Sequence, residues 1–188
     1  MLLVIGLTGL ASSGKSEVAN YLVKKYGFKR LVFSDILREE AEKRNLLENK
    51  SYEEQKYIFS KLGEELRKGT GKWDILAEKL IEKIKFGNFE RIVVDGFRST
   101  EEADLFKKNF ENFHLIFVDA DEKIRFLRRK TQDPTVTIEK FRKRDKENIE
   151  IMGLGKVIKM ADFRINNSDH SFENLYKRID NLLEKINY

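Results

Sequence analysis

The feature that most constrains this chain is a glycine- and serine-rich loop that lies between a strand and a helix near the N-terminus. Residues 2–7 form a continuous apolar run, which is typical of a strand buried on both faces. Residues 9–16 match the pattern G-x-x-x-x-G-K-[ST], and an amphipathic helix is predicted from Lys15 to Tyr26. This setting predicts a phosphate-binding turn, because the glycines let successive backbone N–H groups face one centre at the positive end of a helix.

The residue types in this loop predict a nucleoside-triphosphate site. The Lys15 ammonium can reach the β- and γ-phosphates, and the Ser16 hydroxyl can ligate Mg²⁺. We therefore expect ATP and Mg²⁺ as cofactors, with an ordinary glycine-rich turn between strand and helix as the alternative. The residues predicted to bind the nucleotide here are Gly9, Ser12, Ser13, Gly14, Lys15, Ser16 and Glu17.

The rest of the chain alternates strands with helices, which predicts an α/β domain with a mostly parallel sheet covered on both faces. We expect one domain over 1–188, a helical insertion at about 46–86 and a short lid at about 130–138. The expected strand order is 2-3-1-4-5. The predicted strands are 2–7, 31–33, 91–95, 115–118 and 163–165, and the predicted helices are 15–26, 35–45, 51–69, 73–86, 99–110, 122–131, 137–150 and 171–187.

Composition narrows the class of protein further. The absence of cysteine excludes disulfides and thiolate zinc sites, and no apolar run is long enough to cross a bilayer. Because the N-terminus also lacks the features of a signal peptide, we expect a cytoplasmic protein without a membrane partner. The sequence does not indicate an oligomeric state.

The excess of positive charge lies in one segment. The net charge is +5, and residues 121–160 contain twelve Lys or Arg against seven Asp or Glu. A basic segment in an otherwise neutral chain favours a local phosphate-binding device, with a solvated helical face as the alternative. Nucleic acid is an unexpected partner, since aromatic residues do not interleave the basic ones as a stacking platform requires.

Three further blocks resemble motifs of the nucleoside monophosphate kinases, a group of P-loop proteins. The first is Phe-Ser-Asp-Ile-Leu-Arg at 33–38, which is similar to the S/T-G-D-x-L-R block of adenylate kinases without its glycine. The resemblance implies that Arg38 holds the phosphate of the acceptor nucleotide, and a guanidinium suits this role because it donates a bidentate fork. The alternative is a surface arginine paired with a helical glutamate such as Glu42.

The second block is Val-Val-Asp-Gly-Phe-Arg-Ser at 93–99, which resembles the strand-ending D-G-F-P-R-T of that family without its proline. The resemblance implies that Asp95 helps to hold Mg²⁺ and that Arg98 faces the donor and acceptor phosphates opposite Lys15. Strand three should then lie beside strand one, because Asp95 must reach the ion held by Ser16. A buried structural aspartate is the alternative.

The third block, at 121–129, places Arg125 and Arg129 four residues apart on one helical face. They resemble the R-x-x-x-R pair of the family, which lies over the bound adenine and triphosphate and leads into the lid. Arg142 and Arg144 would close the lid from its far side. Convergent arginines suit phosphoryl transfer because charge spreads over the transferred group. The alternative is a solvated basic helix.

A closer resemblance is to small archaeal-type P-loop proteins described as adenylate-kinase-related or dephospho-CoA-kinase-like. It implies the P-loop NTPase three-layer sandwich, and it implies that the backbone near Asn166 or Asn167 approaches the adenine. An Asn-rich turn after a strand is the alternative. The resemblance is carried by Ser34-Asp35, Asp95–Ser99, Phe141-x-x-Arg144-Asp145, Gly153-Leu154-Gly155 and Ala161–Asn167.

These blocks predict an ATP-dependent kinase of a small nucleotide, with a nucleoside monophosphate as the expected acceptor. A dephospho-CoA kinase is the alternative, in which Asp35 would be the general base toward a ribose hydroxyl. An alternative of another class is an ATP-hydrolysing switch or an RNA-associated protein. The predicted catalytic residues are Lys15, Asp35, Arg98, Arg129 and Arg144, and the predicted acceptor-binding residues are Asp35, Arg38 and Arg98.

Overall fold

Five parallel strands form the sheet at the centre of the protein, which is described by a computed structural model over residues 2–151, 153–169 and 171–186. The strand order is β2-β3-β1-β4-β5, so the predicted topology is confirmed. β3 pairs with β1, as the expected position of Asp95 requires. The strands are β1 (Leu3–Thr8), β2 (Lys29–Val32), β3 (Arg91–Asp95), β4 (Phe113–Asp119) and β5 (Phe163–Asn166).

Helices cover both faces of this sheet, and most begin and end close to their predicted bounds. The helices are α1 (Lys15–Tyr26), α2 (Phe33–Lys43), α3 (Tyr52–Thr70), α4 (Ile75–Phe86), α5 (Thr100–Asn109), α6 (Glu122–Gln132), α7 (Ile138–Lys146), α8 (Leu154–Lys159) and α9 (Phe172–Lys185). The segment 46–86 contains α3 and α4, and the segment 130–138 contains the last turn of α6 and the connection to α7. None of the helices in the described part of the chain is both long and apolar enough to span a bilayer.

The sequence analysis missed α8, and it predicted one helix over 137–150 where the structure has α7 followed by a π-helical turn, Glu147–Ile151. Glycine disfavours a helix, and the segment has glycines at 153 and 155. In the structure Gly153 has a φ of +79° and begins the short helix, whose Leu154 and Val157 side chains are buried. Burial in the core thus stabilises a helix that the local sequence disfavours.

Alternating residues of the central strand supply two cores, one on each face of the sheet. Leu3, Ile5 and Leu7 pack with α1 and α9, whereas Val4 packs with α2, α4, α5 and α8. This two-sided burial is the reason that β1 is apolar at nearly every position. The result is a three-layer sandwich, as predicted.

The carboxyl ends of β1, β2 and β3 meet at one edge and position the candidate site there. The N–H groups of Gly96 and Phe97 donate to the Leu7 carbonyl at 3.0 and 3.1 Å, and the Thr8 hydroxyl donates to the Phe97 carbonyl at 3.0 Å. The loops after β1 and β3 are therefore fixed to each other. A ligand of an open α/β sheet binds at such an edge.

Candidate active site

The loop at residues 9–14 has a backbone that requires glycine at both ends. Gly9 and Gly14 have φ values of +144° and +103°. A Cβ atom on Gly9 would lie 2.3 Å from the Val118 carbonyl oxygen, and one on Gly14 would lie 2.2 Å from the Asn167 amide nitrogen. The two glycines therefore allow both the left-handed turn and the close approach of neighbouring strands.

Two side chains hold this loop from behind: Asn167, which the sequence analysis expected near the adenine, and Arg128, to which it assigned no role. The buried Asn167 side chain donates from Nδ2 to the Ser13 carbonyl at 2.8 Å. Arg128 donates from Nη1 to the same carbonyl at 3.4 Å and from Nη2 to the carbonyls of Asn167 and Asp169 at 2.9 and 3.1 Å. Burial lowers the pKa of Arg128. Both contacts join distant segments, so local spacing gives no signal for them.

The Lys15 ammonium folds back over the loop. It donates to the carbonyls of Gly9 and Leu10 at 2.8 and 3.0 Å. Its pKa is lowered from 10.5 to about 8, chiefly by burial and also by three nearby arginines, while Asp95 opposes the shift. The arginines are Arg98, Arg125 and Arg144, which the sequence analysis assigned to the same site.

Arg125 is buried, only 5% exposed, and supports the loop. Its Nη1 atom lies 2.6 Å from Asp145 Oδ2 and donates to the Ala11 carbonyl at 3.3 Å, and its guanidinium lies 5.2 Å from the centre of the Phe141 ring. Arg125 of α6 therefore connects the loop to α7. A role over the adenine stays a prediction.

The other predicted donor-side residues differ in how firmly they are held. Arg129 pairs with Asp133 at 3.1 Å, and the Glu17 carboxylate accepts from the Tyr176 hydroxyl at 2.6 Å. Arg144 is exposed, and within the described part of the chain its guanidinium has no hydrogen-bond partner. It can therefore turn toward a phosphate without breaking another contact.

Asp95 and Ser16 face a common cation position. Asp95 is 6% exposed, and its Oδ2 atom lies 2.5 Å from Arg30 Nη2, which donates to the Ser16 hydroxyl at 3.2 Å. Asp95 Oδ2 and Ser16 Oγ therefore both contact the same nitrogen, Nη2 of Arg30. A carboxylate and a hydroxyl are ligands that Mg²⁺ uses together with phosphates and water, so these residues fit the ion. No cluster of three His, Cys, Asp or Glu that could hold a metal occurs among the described residues.

The expected acceptor residues lie at the start of α2 and in the loop after β3. Asp35 is partly exposed, and its carboxylate has no hydrogen-bond or ion-pair partner among the described residues. Arg38 is exposed and donates to Gln55 Oε1 at 3.5 Å, with its guanidinium 5.2 Å from the Phe59 ring. The alternative pair with Glu42 does not occur. These contacts hold Arg38 loosely against α3.

Glu102 fixes the loop that carries Arg98. It is buried, and its Oε2 atom accepts from the backbone N–H groups of Arg98 and Ser99 at 2.9 and 3.2 Å. Burial raises the pKa of Glu102. Its Oε1 atom lies 3.9 Å from Nη2 of Arg67, an α3 residue that the sequence analysis missed. The exposed Arg98 side chain itself makes no hydrogen bond within the described ranges.

Comparison with known proteins shows the family to which the chain belongs. A family model described as AAA domain matches residues 8–152. A UPF0200 protein of Pyrococcus abyssi is 38% identical and covers 99% of this chain and 98% of its own length. A UPF0200 protein of Sulfurisphaera tokodaii is 37% identical over 97% of each chain.

Solved structures share the fold at lower identity. TT1252 from Thermus thermophilus has a TM-score of 0.62 at 21% identity, covering 98% of this chain and 97% of that one. Shikimate kinase from Bacteroides thetaiotaomicron has a TM-score of 0.62 at 12% identity over the full length of both chains. The fold is therefore the nucleotide-binding P-loop fold of small-molecule kinases, and the chain belongs to the UPF0200 family, with an AAA domain over residues 8–152.

Proposed function

We propose that the protein transfers the γ-phosphoryl group of ATP to the phosphate of a nucleoside monophosphate. The observation that carries this proposal is the gathering of cations at the loop after β1. The charges of Arg98, Arg125 and Arg144 all act on Lys15 there, and the charge of Asp95 opposes them. Arg125 is paired with Asp145, whereas the guanidinium groups of Arg98 and Arg144 have no hydrogen-bond partner among the described residues. Such a concentration of positive charge is costly without a ligand, and it matches the charge of a triphosphate and its transition state.

On the donor side, the loop N–H groups and Lys15 would bind the β- and γ-phosphates. Ser16 and Asp95 would hold Mg²⁺, which neutralises phosphate charge when bound. The guanidinium groups of Arg144 and Arg98 act electrostatically on Lys15 and have no hydrogen-bond partner among the described residues, so they can move onto the equatorial oxygens of the transferred group. Arg129, tied to Asp133, would join them when the lid at 130–138 closes and excludes water.

The transfer itself needs little covalent help from the protein. An oxygen of the acceptor phosphate attacks the γ-phosphorus and forms a new P–O bond. The bond to the β–γ bridging oxygen breaks, and its electron pair leaves with ADP. Because the acceptor phosphate is already anionic, the protein must grip and aim it, which is the proposed role of Arg38 and Arg98.

The acceptor side supports a small ligand. Arg38 of α2, Arg67 of α3 and Arg98 in the loop after β3 are weakly paired. The shortest polar contact of their side chains within the described part of the chain is 3.5 Å. Structural neighbours named shikimate kinase and gluconokinase also support a small-molecule acceptor. A phosphate carried into this region would satisfy guanidinium groups that the protein leaves weakly paired.

A second candidate, transfer to a hydroxyl as in a dephospho-CoA kinase, is favoured by one observation. The Asp35 carboxylate lies three residues before Arg38 on α2 and has no partner in the described part of the chain. A free carboxylate at this place could accept the proton of an attacking hydroxyl. The two candidates therefore assign opposite importance to neighbouring residues of one helix.

An ADP-release screen with ATP, Mg²⁺ and each common nucleoside monophosphate, deoxynucleoside monophosphate and dephospho-CoA tests the proposal. We expect ADP formation that depends on one or a few monophosphates. ADP formation that no acceptor increases would instead support an ATP-hydrolysing switch.

Two variants then separate the acceptor classes on the best substrate. Arg38→Ala should raise the acceptor KM by about 10- to 100-fold with a smaller effect on kcat, since it removes charge-assisted binding made throughout the reaction. Asp35→Asn should change both constants less. Arg44→Ala, an exposed arginine at the end of the same helix, is the matched control. A dominant kcat loss in Asp35→Asn with a silent Arg38→Ala would contradict the monophosphate acceptor.

A further inference from the structure

Arg30 occupies an unusual place for a residue of an edge strand. It lies on β2 and is in register with Val93 of β3, two residues before Asp95. Side chains two residues apart in a strand share a face, so Arg30 and Asp95 lie on the same face of the sheet, next to α1. The length of the arginine side chain spans the offset. This placement brings a guanidinium from the sheet edge to the phosphate-binding loop.

The contacts of Arg30 surround the cation position described above. Nη2 lies 2.5 Å from Asp95 Oδ2 and 3.2 Å from Ser16 Oγ, and Nη1 donates to Asn20 Oδ1 at 3.0 Å. The Nε atom is buried and has no hydrogen-bond partner among the described residues. The side chains of Arg30 and Asp95 are 29% and 8% exposed. Arg30 thus neutralises a nearly buried carboxylate, although one of its own donors goes unused.

A divalent cation and this guanidinium cannot hold the same two oxygens together. Both would need to sit within bonding distance of Asp95 and Ser16, where their like charges would repel at short range. A buried aspartate left without either cation is also unfavourable, since an uncompensated buried charge is strongly destabilising. The two cations should therefore alternate at one position.

We propose that Arg30 is a built-in counter-ion that occupies the magnesium position until Mg²⁺ with its nucleotide displaces it. The inference rests on the proposed function, because it concerns the metal position of that site. Arg30 keeps Asp95 and Ser16 positioned as ligands, and it offers positive charge to a nucleotide that arrives without metal. Arg30 also competes with Mg²⁺ for Asp95 and Ser16. The site therefore prefers the magnesium complex over the metal-free nucleotide less strongly than it would without Arg30.

This competition makes a prediction that a merely structural role does not. Loss of the Arg30 charge should weaken nucleotide binding in the absence of metal, because a cation beside the phosphates is gone. The same loss should leave binding of the magnesium complex unchanged or tighter, because the competitor is gone. A residue that only stabilises the fold would change both affinities in the same direction.

The experiment is calorimetric titration with a non-hydrolysable ATP analogue, AMPPNP, once in excess EDTA and once in excess MgCl₂. For Arg30→Gln we expect the ratio of the two dissociation constants, EDTA over magnesium, to rise at least about tenfold over the wild-type protein. Arg30→Lys retains the positive charge and should give a smaller rise. Equal weakening under both conditions would overturn the inference.

Asn20→Ala provides a second variant in case Arg30→Gln folds poorly. Asn20 is exposed on α1 and contributes one of the hydrogen bonds that hold the guanidinium in place. Its removal should make Arg30 easier to displace and raise the same ratio a few-fold. An unchanged ratio in Asn20→Ala, together with an unchanged or unmeasurable Arg30→Gln, would count against the competition.

The opposite edge of the sheet offers a matched control. Arg164 of β5 is in register with Phe117 and pairs with Asp119, two residues further along β4, so its offset repeats that of Arg30 and Asp95. Arg164→Gln should leave the ratio unchanged, since Arg164 lies on the other face of the sheet from Asp95 and its ion pair is with Asp119. If the wild-type protein binds AMPPNP neither in EDTA nor in MgCl₂, the proposed function is wrong, and the inference that rests on it is wrong too. Binding with an unaltered ratio in Arg30→Gln overturns the inference alone.

Discussion

The donor and acceptor sides of the candidate site are built in contrasting ways. On the donor side, buried or partly buried side chains anchor the loop, with Asn167 2.8 Å from the Ser13 carbonyl and Arg125 2.6 Å from Asp145. On the acceptor side, Arg38 has one long hydrogen bond of 3.5 Å, and Asp35 has no partner among the described residues. The donor side is thus held in place without a ligand, and we expect the proposed acceptor side to become ordered when its ligand binds.

This contrast has a physical cause. The donor loop presents backbone N–H groups, which are useful only when the backbone is held still, so neighbouring segments must fix it. The acceptor side presents long side chains on exposed helices, and these can be ordered by the ligand itself at an entropic cost. Substitutions on the donor side should therefore weaken nucleotide binding by loosening the segments that hold the loop. Substitutions on the acceptor side should weaken acceptor binding by removing side chains that contact the acceptor.

Lys15→Ala should give the largest effect and test the donor side most severely. Removal of a cation aimed at the transferred phosphate typically costs at least about 10²-fold in rate, so kcat in the ADP-release assay should fall by that much or more. The fold should be retained, because the hydrogen bonds of the ammonium within the described residues go to the loop carbonyls of Gly9 and Leu10. Turnover near the wild-type rate, with a normal circular dichroism spectrum, would break the assigned role.

The pKa of Lys15 gives a second prediction, in which affinity and stability respond oppositely to pH. Because the pKa is lowered to about 8, the ligand-free protein loses this charge above pH 8, and the dissociation constant of AMPPNP should rise about tenfold between pH 7 and 9. Lys15→Arg should bind independently of pH over this range, since a guanidinium does not titrate there. A flat wild-type profile would contradict the shift.

The stability of the ligand-free protein should change in the other direction. Between pH 8 and 10.5 the unfolded chain holds a proton on Lys15 that the folded protein has released. The free energy of unfolding therefore rises with pH through this window. Thermal melts of the wild-type protein and Lys15→Ala at pH 7 and 9 measure this effect. The Tm of the wild-type protein minus that of the variant should be larger at pH 9 than at pH 7.

Asn167→Ala should produce a smaller, purely donor-side effect. It removes the buried hydrogen bond to the Ser13 carbonyl, while the longer contact from Arg128 Nη1 remains, so the loss is about 1 kcal/mol. We expect the dissociation constant of AMPPNP to rise about fivefold and the acceptor KM to stay unchanged. An equal rise in the acceptor KM would show that the two sides are coupled through the loop.

The sequence predicted the individual strands and the phosphate-binding loop because both follow from local patterns. Continuous apolar runs mark buried parallel strands, and the loop motif lies between one such strand and a helix. The helices that begin after Ser51 and Ser99 also follow a local pattern, the S-x-x-E spacing of a capping box, and the structure contains both boxes, Ser51 with Glu54 and Ser99 with Glu102. In each of these cases the deciding interactions are made within a few residues of the chain.

The remainder depends on contacts between distant segments, which spacing does not reveal. Arg30 reaches Asp95 only because β2 and β3 are neighbours with a particular register. Arg128 reaches the loop across the sheet edge, and the four-residue spacing of Arg125 and Arg129 does not show that Asp145 neutralises one of them. A charged residue's role is decided by its partner, and the partner comes from the tertiary fold.

Ser51→Ala should have the smallest effect and sharpen the comparison from the acceptor side. The exposed Ser51 hydroxyl caps α3 by accepting from the Glu54 N–H group at 3.4 Å, so its loss should cost about 1 kcal/mol of stability at most. The effect should be confined to α3, with faster amide exchange at its first turns and an unchanged AMPPNP dissociation constant. Because the acceptor side is organised by its ligand, saturating acceptor should restore the protection of these amides. If the exchange rates stay high with acceptor bound, α3 does not close over the ligand, and the acceptor is held by α2 and the loop after β3 alone.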